Sequence, residues 1–194
     1  MLKKIFYAVF RSLFYKACLG SIGNGSKLIN PTLSGSKRIF IGSKVYINDR
    51  GWLACEVLTG ETDPKLIIGD GTYIGRFCHI YAPSKIEIGK KVLMADKVYI
   101  SDNLHSYENV DLPVIDQPIK QTNPVIIADG AWLGENVCVI GASVGKNSVV
   151  GANSIVNKDI PDYCVAIGSP AVIIKRYNAT TKQWQKTDKD GQFI

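Results

Sequence analysis

Only two imidazoles stand among the 194 residues, His79 and His105, and imidazole is the side chain best suited to moving protons near neutral pH. His105 closes the stretch Ser101-Asp102-Asn103-Leu104-His105, directly before a polar segment, 106–124, rich in Asn, Asp, Pro and Gln. A carboxylate three residues before the ring would either orient it or belong to a plain turn, so Asp102 carries both readings. Two histidines cannot supply a three-imidazole metal site, and the five cysteines (Cys18, Cys55, Cys78, Cys138, Cys164) show no CxxC spacing. Neither a metal nor a disulfide framework is expected. The cysteines fit small buried hydrophobes in a reducing compartment rather than nucleophiles.

The elements that must position these residues follow a period of six. Aliphatic residues or Met recur at Ile41, Ile47, Leu53; Ile68, Ile74, Ile80; Ile88, Met94, Ile100; Ile127, Leu133, Val139; and Val144, Val150, Val156. Glycine often follows, as at Gly42, Gly69, Gly89 and Gly134, and a small or β-branched residue fills the fourth position after, as at Val45, Thr72, Val92 and Ser148. A period of six fits a three-sided solenoid of short parallel strands, with the aliphatic inside and the glycine easing the backbone at corners. The count predicts about five coils over 41–173. Two breaks in the spacing predict excursions, one near Thr59–Lys65 and a longer one at 106–124. Residues 21–40 are expected to be a lead-in and 174–194 a C-terminal helix or polar tail.

Length and composition allow one domain with a short appendage. The formal charge is +6, but residues 1–50 hold nine basic and one acidic side chain, so the remainder stands at −2. A nucleic-acid partner is therefore not expected. Leu2, Ile5, Phe6, Val9, Phe10, Leu13, Phe14 and Ala17 follow helical spacing, which predicts a basic amphipathic helix over 1–20. Arg11 and Lys16 interrupt it too soon for a secretory leader or a membrane span, so a cytoplasmic protein is expected. The apolar stripe would cap the first coil or lie on an anionic membrane surface, and both uses stay open.

The units Ile68-Gly69-Asp70-Gly71-Thr72-Tyr73-Ile74-Gly75, Trp132-Leu133-Gly134-Glu135-Asn136-Val137 and the run from Val150 to Pro161 resemble the hexapeptide-repeat acyltransferases. The likeness covers about residues 35–177, and the nearest branch is the galactoside and maltose acetyltransferases with the O-acetyltransferases of lipopolysaccharide and capsule assembly. It implies a left-handed parallel β-helix, a homotrimer, acetyl-CoA as donor and an active site between subunits. It also implies that His105 is the base deprotonating an acceptor hydroxyl, with Asp102 as its helper. His79 and Trp132 would line the acceptor or active-site wall. Ala152, Asn157, Lys158, Lys175 and Arg176 would contact acetyl-CoA, although the arginine that galactoside enzymes place after the residue matching Ala171 is missing here. The implied function is O-acetylation of a sugar in a surface polysaccharide or its precursor. N-acetylation of a nucleotide-linked amino sugar, acetylation of an antibiotic, and a trimeric scaffold without chemistry are the alternatives.

Overall fold

The computed structural model describes residues 14–189 and 191–194. The chain passes in turn across three parallel sheets, each taking every third strand. The first face holds Ser21–Ile22, Ile39–Ile41, Lys65–Ile68, Lys85–Ile88 and Val125–Ile127, continued by single bridges at Val144 and Ile160. The second runs from Lys27–Leu28 through Tyr46–Ile47, Tyr73–Ile74, Leu93–Met94, Trp132–Leu133 and Val149–Val150 to Cys164–Gly168. The third holds Thr32–Ser34, Trp52–Ala54, His79–Tyr81, Tyr99–Ser101, Cys138–Ile140 and Ile155–Val156. All fifteen aliphatic repeat positions are buried inside this prism, at 2% exposure or less. Burying each of these large side chains contributes roughly 1.5–3 kcal/mol.

Corners are held by two recurring devices. Aspartates bond to backbone amides of the neighbouring coil: Asp70 Oδ1 accepts from Ser43 N–H at 2.7 Å, and Asp96, Asp129, Asp159 and Asp162 do likewise from Arg76, Lys90, Ser143 and Lys146. Inside, Thr72 and Ser148 hydroxyls donate to carbonyls of the next coil (Gly89 and Pro161, 2.7 Å each) and accept an amide from it (Val92 and Cys164). These small polar residues therefore close the ladder as well as fill space.

Three sequence expectations need correction. Residues 21–40 are not a lead-in: Ser21–Ile22, Lys27–Leu28 and Thr32–Ser34 build a further coil, making six complete coils among the described residues rather than five. The 174–194 segment is neither helix nor loose tail. Ala171–Asn178 folds back antiparallel on Cys164–Gly168, and Gln183–Lys186 adds a last antiparallel strand. The repeat glycines do not supply unusual backbone angles either. Left-handed φ falls on Lys44, Lys91, Asn147, Arg50, Lys97 and Asn153, among others, whereas Gly69 is needed because a Cβ there would lie 2.6 Å from the carbonyl carbon of Gly89 in the next coil. Coil-to-coil approach, rather than torsional freedom, selects that glycine.

The helix expected over 1–20 lies mainly outside the described residues. Its final turn, 14–18, is helical, and Tyr15 and Leu19 are buried in the core at the open end of the first coil. Ser36 Oγ donates to Cys18 O at 3.0 Å, fastening that turn to the coil.

Candidate active site

The excursion after Tyr99–Ser101 is an ordered arm. Asn103–His105 pairs antiparallel with Ile119–Gln121, placing His105 opposite Ile119 at the root of a hairpin. Gln117, buried at the tip, accepts Asn109 N–H at 3.2 Å and donates to the carbonyls of Asn109 (2.8 Å) and Leu112 (3.0 Å). Lys120 and Glu108 form a 2.6 Å ion pair across the strands, which with two amide bonds draws the exposed Glu108 carboxyl down to about 2. At the base, Gln121 Nε2 donates to Asp102 O at 2.7 Å while its Oε1 accepts from Thr59 Oγ1 at 2.6 Å. One side chain thereby buckles the arm to the shorter excursion, 55–64, which leaves the same corner two coils earlier. Nothing in the sequence spacing marked Gln117 or Gln121, because their partners are backbone groups and a threonine 62 residues away.

His105 is exposed, and its ring has no hydrogen-bond, ion-pair or aromatic partner among the described residues. Asp102 does not serve it. Its fully buried carboxylate accepts from Ser84 N–H at 3.0 Å and Lys85 N–H at 2.6 Å, the same bond to a neighbouring coil made by Asp70 and Asp129. Burial raises its pKa above the usual carboxylate value, and the two amides only partly counter this. Asp102 is thus a brace under the arm root.

His79 lies on the outer surface of the third face, stacked on Trp52 at 4.3 Å between ring centres and edge-on to Tyr99 at 5.2 Å. Its Nε2 is enclosed without a partner, and burial lowers its pKa, which favours the uncharged ring. Trp132 stands on the second face, 48% exposed, in a ladder with Leu93 and Val149. The arm springs from the corner between the third and first faces, so Trp132 and His105 of one chain lie on opposite sides of the prism. The residues expected to contact acetyl-CoA are also spread out. Asn157 and Lys158 line a cavity of about 280 Å³ with Pro170, Ala171 and Lys189, whereas Arg176 lines a separate concavity with Asp162, Tyr163 and Tyr177. Ala152 lies at a corner of the sixth coil, and Lys175 pairs with Val165 and Lys186 in the terminal hairpin.

Cys55 and Cys78 are buried, which pushes both thiols up to about 11, and burial raises Cys164 as well. None of these three is a thiolate at neutral pH, so none is an available nucleophile.

The chain matches no family model. It is 39% identical over 128 residues to Escherichia coli WbbJ, named "Putative lipopolysaccharide biosynthesis O-acetyl transferase", covering 62% of this chain and 65% of WbbJ. It therefore spans just under two thirds of that relative's length. It is 35% identical over 155 residues to the Saccharomyces cerevisiae "Putative acetyltransferase YJL218W", covering 72% of this chain and 78% of the yeast protein. The fold matches the Vibrio cholerae hexapeptide-repeat acetyltransferase VCA0836, solved with acetyl-CoA, at a TM-score of 0.64 and 24% identity over 88% of this chain and 78% of that one. With a relative matched over most of its length and a prism of six-residue units, the chain belongs to the hexapeptide-repeat acetyltransferase family.

Proposed function

We propose that the protein transfers an acetyl group from acetyl-CoA to a sugar hydroxyl of a surface polysaccharide or its precursor. In this reading it works in the cytoplasm as a homotrimer of left-handed parallel β-helices. The observation that carries it is His105, an unpartnered imidazole held at the root of a hairpin whose tip and base are both pinned by glutamines. The relative named for lipopolysaccharide biosynthesis O-acetyl transfer supports a glycan acceptor.

Acetyl-CoA supplies the acetyl group and departs as the free thiol. An imidazole nitrogen of His105 takes the acceptor hydroxyl's proton as the new oxygen–carbon bond forms, then returns it to the sulfur as the carbon–sulfur bond breaks. A backbone N–H at a coil corner would stabilise the charge that develops on the carbonyl oxygen. Lys158 and Lys189, beside Asn157 in one cavity, have no ion pair among the described residues and suit the phosphates of the donor.

His105 and Trp132 can meet only if two copies contribute one each. Two apolar surfaces left uncovered by a single chain support that assembly. One is the ladder Tyr46, Tyr73, Leu93 and Trp132 on the second face, and the other is the arm tip, where Val110 and Ile115 are 93% and 85% exposed. Among the described residues no helix is long and apolar enough to cross a membrane. The burial of Tyr15 and Leu19 favours the N-terminal segment as a cap of the first coil over its use on a membrane surface.

The test is an acceptor screen with acetyl-CoA, read by the mass gain of one acetyl group, on wild type and His105→Ala. Wild type should acetylate a sugar, and the variant should lose about 10²–10⁴-fold in rate. Full activity in the variant would overturn the base. A protein that neither binds nor consumes acetyl-CoA would be the scaffold instead.

A further inference from the structure

We infer that the third face carries a second glycan subsite, in which a pyranose ring of the acceptor stacks on Trp52, away from the sugar that receives the acetyl group. The inference rests on the proposed acetyl transfer to a glycan.

Trp52, His79 and Tyr99 occupy one ladder of the third face, in consecutive coils. The imidazole is covered on one side by the indole and on the other by the edge of Tyr99. The ring contacts of the indole, with His79 at 4.3 Å and Tyr81 at 6.0 Å, are both to the following coil. Its partner in the first coil is Thr32, a side chain far smaller than an aromatic ring, so the aromatic run of the ladder ends at the indole. Trp52 Nε1 donates to Ser34 Oγ at 3.2 Å, and its plane lies 12° from that of His79, so the platform is fixed in orientation before anything binds. The residue is nonetheless 40% exposed.

That combination suits a sugar. The C–H bonds of a pyranose face carry partial positive charge and meet the negative face of an aromatic ring, while the hydroxyls at the ring's edge need polar partners. Polar groups stand nearby: Thr32 and Ser34 on the neighbouring strand, and Glu56 close enough to Tyr81 to act on its hydroxyl. The second face offers a contrast, since its ladder of Tyr73, Leu93, Trp132 and Val149 ends in aliphatic surface suited to another protein copy.

Position agrees with the chemistry. Trp52 lies on the strand from which the 55–64 excursion leaves, and the Thr59–Gln121 bond ties that excursion to the arm. The arm root with His105 is two coils further on, about 10 Å along the prism axis at the spacing of parallel strands. A short oligosaccharide spans such a gap, whereas a single sugar cannot occupy both places. The subsite therefore predicts a preference for oligosaccharide acceptors over their component monosaccharides.

The experiment uses an array of bacterial surface oligosaccharides and their component monosaccharides, probed with the full chain as wild type, Trp52→Ala and Thr32→Arg. Retained protein is read first, then transfer of labelled acetyl from acetyl-CoA on the same array. Wild type should be retained on oligosaccharides, and each variant about tenfold more weakly. Transfer to monosaccharides should be unchanged. Thr32→Arg lays a guanidinium over the indole from an exposed site while leaving Trp52 in place, so its loss of binding at an unchanged melting temperature cannot be ascribed to unfolding. Equal retention of all three proteins, or no retention of wild type on any glycan, overturns the subsite. Binding lost in both variants with no acetyl transferred by wild type would uphold the subsite and sink the transferase reading. Transfer to oligosaccharides with the same KM in all three proteins would do the reverse.

Discussion

Replacing Asp102 separates a brace from a catalytic helper. Asp102→Asn keeps an oxygen that can accept the amides of Ser84 and Lys85, now at 3.0 and 2.6 Å, but removes the charge. Asp102→Ala removes the acceptor and leaves two part-buried N–H groups without their partner, each costing about 1–3 kcal/mol. At the usual entropy of unfolding for a chain of this size, the alanine variant should melt on the order of 10 °C lower. The asparagine variant should melt near wild type and retain acetyl transfer within about threefold. Burial holds the native carboxyl's pKa above its unfolded value. The folded state therefore binds the proton more tightly, and this group's contribution to stability falls as pH rises from the unfolded pKa to the folded one, then levels off. Asp102→Asn should lack that decline. Thermal unfolding against pH and thiol release from acetyl-CoA measure both. A rate loss of about a thousandfold in Asp102→Asn at an unchanged melting temperature would refute the brace, because only a carboxylate acting on His105 would produce it.

Gln121→Ala should cut kcat more than KM for the donor, by about tenfold, with a loss of roughly 1–3 kcal/mol in stability, since the arm root loses its bonds to Asp102 and Thr59. Steady-state kinetics with a melting curve check it. Gly69→Ala should destabilise by about 1–3 kcal/mol or more, because the added methyl meets the Gly89 backbone, which cannot swing aside. Its melting temperature against that of wild type is the readout. Cys55 and Cys78, held near 11 by burial, should resist alkylation at pH 7.5 in the native protein, while partly exposed Cys18 and Cys138 are labelled first. Peptide mass mapping after timed labelling checks the order.

The period of six exposed five coils because each aliphatic faces an identical environment one coil away, and packing then admits no alternative. The first coil escaped because its second corner is a residue short. Leu28 pairs with Ile47 and Leu33 with Leu53, a spacing of five against six. The terminal hairpin escaped because Val172, Ile173 and Ile174 sit in a run without period, and its outer strand, Gln183–Lys186, is polar and mostly exposed. Residue type and a place before a long excursion single out His105, and the structure shows that ring exposed at the arm. The role of Asp102 was not legible, since three-residue proximity suggested a partner for the ring, while the coil-to-coil bond it makes spans 17 and 18 residues. The corner aspartates Asp70, Asp129 and Asp162 carried that signal. Trp52 was hidden for a similar reason: the 55–64 excursion sets it 27 residues from its ladder partner His79.

Mixing two inactive variants tests the central claim most directly. His105→Ala and Trp132→Ala should each lose most acetyl transfer alone. If the site joins the arm of one copy to the second face of another, subunits unfolded together and reassembled should recover activity, because some sites then pair an intact His105 with an intact Trp132. Recovery to an appreciable fraction of the wild-type rate is the predicted result. No recovery from a mixture that has reassembled, or a wild-type rate from His105→Ala by itself, would contradict the account.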